Sequence, residues 1–155
     1  MRTVLVLGLL AVAAPGQAFD PIAFFSGRSA GEGAINVPFQ APKSLAVQSF
    51  GTRQKDGSLL LRQVVREAGK APRTRSWRLR RVTPQRFEGT LTDAVGPVRI
   101  EREGNAIRIR YKGTNKLDFD QRLTPAGPRA ITNRMQVKRF GITVATVDER
   151  IRKLD

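Results

Sequence analysis

A chain without cysteine or histidine must do any chemistry with carboxylates, arginines, hydroxyls and amides. Thiolate nucleophiles, disulfides, most zinc sites, histidine-ligated haem and imidazole acid–base catalysis are all removed at once. Among the carboxylates, Asp93 raises a question. It lies in "QRFEGTLTDAVG", residues 85–96, where Phe87, Gly89 and Leu91 share one strand face and Asp93 continues their parity. A carboxylate turned toward a core is costly unless it is paired or protonated. Arg81, Arg134 and Arg139 are candidate partners, and Asn133 could supply an amide donor. Asp93 could instead close the strand by accepting N–H groups of the "DAVGP" turn, as Asp often does in turns. Its functional alternative is a polar floor or rim that orients a ligand head group.

Other inward polar positions follow from the same alternation. Gln121 lies between Phe119 and Leu123. In "RAITNRMQVKRF" the residues Ile131, Met135 and Val137 define an inner face that Asn133 shares and Arg139 ends. Gln63 is ambiguous, because "SLLLRQVV" is apolar on both faces. Glu101 and Glu103 fall on outer faces, as do Asp118 and Asp120, so these pairs read as solvated charges rather than as glycosidase carboxylates. No phosphate loop, nucleophile elbow or metal-ligand cluster is present, so no catalytic set and no cofactor is expected. An enzyme would have to use Asp93 as acid or base, with Tyr111 or an arginine as electrophile.

The elements that position these residues are strands. Ten candidates run from "SAGEGAINV" to "ITVATVDERIRK", separated by turn sequences such as "KDGS", "EAGKAP", "REGN" and "TPAGP". Short gaps predict hairpins between neighbours. About eight to ten sequential strands with one apolar face are expected to close into an antiparallel up-and-down barrel, with a two-sheet sandwich as the alternative. "FDPIAFFSG" carries a cap at Asp20, proline at the first helical position and a terminating Gly27, which predicts a short helix packed across an opening in the core.

The 155-residue chain has 28 basic and 13 acidic residues. Arginine recurs at alternate positions, as in "AIRIRYKG", where Ile107, Ile109 and Tyr111 face inward and Arg108, Arg110 and Lys112 outward. The charge therefore coats a barrel exterior. Residues 1–18, "MRTVLVLGLLAVAAPGQA", have the order of a secretory leader: Arg2, an apolar run from Val4 to Ala14, and small residues at 16 and 18 before Phe19. The expected organisation is a leader over 1–18 and a single barrel domain over 19–155, soluble in the periplasm or cell envelope after cleavage. An exported polycation meets anionic lipids and glycans rather than nucleic acid.

The order of "FDPIAFFSG", "RSWRLRRV", "QRFEGTLTDAVG", "EGNAIRIRYKG", "KLDFDQ" and "ITNRMQVKRFGITVATV" resembles bacterial domain-of-unknown-function family 3833. The similarity covers about residues 19–153. It implies a cell-envelope protein of lipocalin-like, calycin-type barrel form, with no established activity. Family members often look like lipoproteins, and this chain lacks the anchoring cysteine. Members also carry an acidic-Trp-Met run after Phe-Asp, where this chain has Gln121-Arg122-Leu123 after Phe119-Asp120. The resemblance marks Asp93, Asn133 and Arg134 as positions of interest, here expected to form a shared structural network.

Two functional expectations result. In the first, the barrel holds a small apolar or lipid-like ligand. Trp77, Leu79, Phe87, Leu91, Ile107, Ile109, Tyr111, Phe119 and Met135 line it, and Asp93, Asn133 and Arg139 supply polar contacts. In the second, the barrel is filled and its arginine-rich exterior docks on anionic membrane or envelope components.

Overall fold

The computed structural model describes residues 19–155; the expected leader lies outside them. A one-turn helix, α1 (Pro21–Phe24), precedes ten strands: β1 (Gly27–Asn36), β2 (Lys43–Arg53), β3 (Leu59–Glu67), β4 (Arg73–Arg81), β5 (Arg86–Leu91), β6 (Val98–Glu103), β7 (Ala106–Lys112), β8 (Leu117–Pro125), β9 (Ala130–Arg139) and β10 (Ile142–Lys153). Each strand pairs antiparallel with the next, and β1 pairs with β10 from Ser29 opposite Lys153 to Asn36 opposite Thr146. The sheet is a closed up-and-down barrel and not a sandwich. Closure leaves no unpaired edge.

Side-chain alternation decides what is inside. Ile107, Ile109 and Tyr111 are buried, and Arg108 and Arg110 face outward beside carboxylates. Arg108 pairs with Asp120 and Glu103, and Arg110 with Glu101. The Asp120 hydrogen bond, reinforced by Glu103, raises the Arg108 pKa, and the same bond lowers that of Asp120. On β6 to β8 three outward arginines, Arg108, Arg110 and Arg122, are thus tied into ion pairs, and Arg99 makes none among the described residues.

The two ends of the barrel differ. Asp20 caps α1, its Oδ1 accepting from the Ile22 N–H at 2.9 Å, and Pro21 takes the first helical position. Ile22, Phe24 and Phe25 then pack into the main core cluster with Leu59, Leu79, Phe87, Ile100, Ile107 and Leu123. Asp20 also pairs with Arg81, the Arg102 guanidinium donates to the Phe19 carbonyl, and the Lys153 ammonium donates to the Phe24 and Ser26 carbonyls. Gly51 is required here, because a Cβ would collide with the Phe25 carbonyl. This end is plugged. The opposite end, the mouth, carries the β1–β2, β3–β4, β5–β6, β7–β8 and β9–β10 connections and has no plug among the described residues.

Candidate functional site: a polar belt inside the barrel

Two apolar clusters fill the interior. The larger fills the plugged half and extends on one side up to Trp77 and Tyr111; the smaller, Leu45, Val47, Val65 and Val147 with Ile35 and Met135, lies toward the mouth. Between them runs a belt of polar side chains. Ser29, Ser49, Gln63 and Arg75 occupy successive register positions across β1 to β4. Asn133 and Glu149 are direct partners across β9 and β10, and Gln121 follows on β8. All but Arg75, which is half-buried, are buried.

The belt is hydrogen-bonded in two groups. Gln63 is the hub of one: its Oε1 accepts from Arg75 Nε at 2.7 Å and from Trp77 Nε1 at 2.8 Å, and its Nε2 donates to Ser49 Oγ at 2.9 Å. The Arg75 guanidinium lies 5.7 Å from the Trp77 ring centroid. Trp77 meets Tyr111 edge-on, and Tyr111 stacks on Phe119 at 4.7 Å. In the other group Asn133 Nδ2 donates to Glu149 Oε2 at 3.0 Å. Gly31 makes room for that carboxylate, since a Cβ there would land on Glu149 Oε1.

Burial perturbs the ionisable members. It raises the Glu149 pKa, opposed by the Asn133 hydrogen bond and the Arg75 charge. It raises Tyr111, opposed by Arg75, and lowers Arg75, opposed by Tyr111 and the nearby carboxylates. Arg75 remains a cation at neutral pH. Two buried acceptors, Asn133 Oδ1 and Ser29 Oγ, have no hydrogen-bond partner. Asn133, Glu149, Gln121, Gln63, Arg75 and Trp77 surround a void of about 40 Å³ whose other wall is the apolar floor on α1. Such a void holds water or the tip of a ligand, not a whole one of ordinary size, which needs roughly 300 Å³ or more. A larger cleft, about 460 Å³, lies beside the mouth between the β5–β6 turn and β7–β9, walled by Val95, Pro97, Arg99, Arg110, Lys112, Asp118, Asp120 and Lys138.

The structure brings together most of the expected inward residues. Trp77, Tyr111, Phe119, Asn133 and Met135 lie at or above the belt, and Phe87, Ile107 and Leu79 are sealed into the plugged half. Leu91 and Ile109 belong to the same core. Three expectations need correction. Asp93 sits two residues beyond β5, half-buried, and its carboxylate pairs with Arg73, not with Arg81, Arg134 or Arg139. The turn it begins is held by backbone bonds, Ala94 N–H to Leu91 O and Val95 N–H to Lys112 O, so Asp93 is not needed as an acceptor there. Arg139 has the inward parity but stands at the strand end, exposed, donating to the Asn115 carbonyl. The Asp93–Asn133–Arg134 network does not form: Asn133 bonds Glu149 inside, Arg134 pairs with Asp148 outside, and Asp93 is at the mouth. Two belt members, Arg75 and Glu149, do not stand out in the sequence. Strand parity identifies both, since Arg75 precedes Trp77 and Leu79, and Glu149 lies between Val147 and Ile151.

The molecule is therefore a lipocalin-like closed β-barrel with an apolar plug and an internal polar belt. It shares its fold with the S-type phycobiliprotein lyase CPES from Guillardia theta: TM-score 0.68 over 86% of this chain and 90% of that one, at 8% identity. A Nitrosomonas europaea protein assigned as an AttH overlaps only loosely, with TM-score 0.39 at 13% identity, over 94% of this chain and 59% of that one. No curated protein matches the chain in sequence. The chain belongs to the family described as "Protein of unknown function (DUF3833)", whose pattern spans residues 9–153.

Proposed function

We propose that this protein is an exported cell-envelope barrel that binds a lipid-like amphiphile through its mouth. The hydrocarbon lies against the incompletely covered Phe119, Met135 and Ile35, and the polar end meets the belt. The observation that carries this reading is Asn133 Oδ1, a buried acceptor without a partner on a residue that lines a small void together with a buried Glu149 and an arginine. An apolar barrel that needed only stability gains nothing from such groups. The shared fold with a phycobiliprotein lyase is compatible with interior binding and, at 8% identity, transfers nothing finer.

Trp77 is the only tryptophan of the chain and belongs to the belt, so it reports occupancy directly. Titration with a bromine-labelled fatty acid should quench its emission saturably, and native mass spectrometry after mild extraction should show one added ligand mass. Non-saturable quenching and an unadorned mass would overturn the reading. Export rests on residues 1–18; the envelope form of the protein should begin at Phe19, and an intact Met1 in that fraction would contradict processing. The void of about 40 Å³ favours a second reading, a filled barrel that acts through its surface. An unadorned mass together with salt-sensitive binding to anionic vesicles selects it.

A further inference from the structure

Where the surface would act is a separate question, and the mouth answers it independently of whether the interior takes a ligand. Four of the seven exposed large apolar side chains among the described residues surround the mouth: Phe39, Val95 and Phe140 in its connections and Ile142 at the start of β10. Phe50, Val82 and Leu154, each less exposed than Phe39, Phe140 and Ile142, lie toward the plugged end. Phe39, on the β1–β2 connection, is as exposed as a free side chain, at 108%, and Phe140, at the β9–β10 hairpin tip, is 74% exposed. These two connections are neighbours, because β1 pairs with β10.

Both phenylalanines also adopt left-handed backbone, φ 64° at Phe39 and 51° at Phe140. That region disfavours residues with a Cβ, and turns that need it usually take glycine, asparagine or aspartate. All four non-glycine residues with positive φ among the described residues, Phe39, Asn115, Lys116 and Phe140, sit at this end. A bulky ring held in water, on backbone that a smaller residue would take more easily, suits a surface that receives the ring.

Charge specifies the surface. Three carboxylates of the mouth, Glu67, Asp93 and Asp118, are each taken up by one local cation, Lys70, Arg73 and Lys112. Lys43, Lys116, Lys138 and Arg139 make no ion pair among the described residues, and Lys116 sits 5.6 Å from the Phe140 ring centroid. The rim is therefore apolar tips within a surplus of cations. On the neighbouring wall of β6 to β8, Arg108, Arg110 and Arg122 are paired, Arg99 is not, and the apolar residues are inside.

We propose that the mouth rim docks on an anionic phospholipid bilayer, with Phe39 and Phe140 entering the interface and the unpaired lysines and Arg139 meeting phosphates. Interfacial aromatics combined with basic residues are a chemistry suited to this contact. The proposal commits to the rim, not to the arginine wall, as the docking face.

The absence of native cysteine allows single reporter sites in the full chain. F39C and F140C, each carrying an environment-sensitive NBD label, are compared with K55C in the β2–β3 turn of the plugged end. Vesicles are phosphatidylglycerol with phosphatidylethanolamine, or phosphatidylcholine alone. Labels at 39 and 140 should shift to the blue and resist aqueous quenchers on anionic vesicles only, with the label at 55 unchanged. A shift at 55 alone would mean that residues 1–18 or the plugged end make the contact, and equal shifts at all three sites would mean adsorption without orientation; either overturns the proposal. So do equal shifts on phosphatidylcholine, no shift at all, or a lipid-free shift that grows with protein concentration, which marks a second copy as the occupant. With the labels absent, Phe39→Ser and Phe140→Ser should each weaken vesicle partitioning about tenfold, and Lys116→Gln about fivefold. Loss of partitioning by Arg78→Gln on the outer face of β4, with Phe140→Ser neutral, would assign docking to the side of the barrel instead. Unchanged Trp77 emission checks that each variant keeps its barrel.

Discussion

Gln63→Leu tests whether the belt is a closed network or a row of separately tolerated polar residues. The substitution removes one acceptor shared by Trp77 and Arg75 and one donor to Ser49. Trp77 is 5% exposed, so its indole N–H is shut off from bulk solvent, and an orphaned buried donor costs about 1–3 kcal/mol. Arg75 is half-buried and can swing toward solvent, which limits its loss to about 1 kcal/mol. Ser49 can rotate its hydroxyl. Leucine returns about 1 kcal/mol by burying more hydrocarbon. The expected net cost is about 1–3 kcal/mol. With a urea slope of about 2 kcal/mol per molar, the unfolding midpoint should fall by about 0.5–1.5 M. Trp77 emission follows the transition, and should change in the folded state as well, because its hydrogen bond is gone. Gln63→Glu is the control: its carboxylate still accepts from Trp77 and Arg75, so it should stay within about 1 kcal/mol of wild type. A leucine variant within about 0.5 kcal/mol of wild type, or leucine and glutamate variants equally destabilised, would refute the network.

Three further outcomes follow. Gly31→Ala should destabilise by about 1–3 kcal/mol, seen as a lower melting temperature, because the new methyl displaces the Glu149 carboxylate; combining it with Glu149→Ala should recover most of the loss. Glu149 has a folded pKa raised above its ordinary 4.5, so the folded state holds the proton more tightly than the unfolded chain does. Its contribution is therefore full below about pH 4.5 and is lost as pH rises through the folded value; Glu149→Gln should flatten that part of the stability–pH curve and melt higher than wild type at neutral pH, whereas lower melting at every pH would show a carboxylate charged and stabilised in place. Asp93→Asn should cost less than about 1 kcal/mol in urea unfolding, since its pair with Arg73 is one-third to one-half exposed, and a larger loss would restore Asp93 as a core polar group.

The sequence made the fold legible because hydrophobic alternation and turn residues agree along the chain. "AIRIRYKG" can bury Ile107, Ile109 and Tyr111 only by turning its cations out, and ten such segments joined by short turns have few ways to hide one face other than closing. The cap, proline and glycine of "DPIAFFSG" similarly encode α1. The site was less legible, because parity stops being informative where strands end. Asp93 and Arg139 keep inward parity at the mouth, where the chain has already left the ladder or reached solvent. Arg75 and Glu149 obey parity, but a charged residue inside is what hydropathy argues against. Their burial becomes understandable only when Gln63, Asn133 and the missing side chain at Gly31 are seen around them.

That arrangement also explains why the barrel is unequal along its axis. Below the belt, α1 supplies Ile22, Phe24 and Phe25 to a core whose largest members are fully enclosed, so displacing them would cost several kcal/mol per side chain. Above it, the smaller cluster is built of Leu45 and three valines, with Ile35, Met135 and Phe119 only partly covered. Any opening of the interior is therefore cheapest from the mouth down to the belt and no further. A guest entering there would end at Asn133, Arg75 and Glu149, and it would pass the rim of Phe39 and Phe140 on its way in.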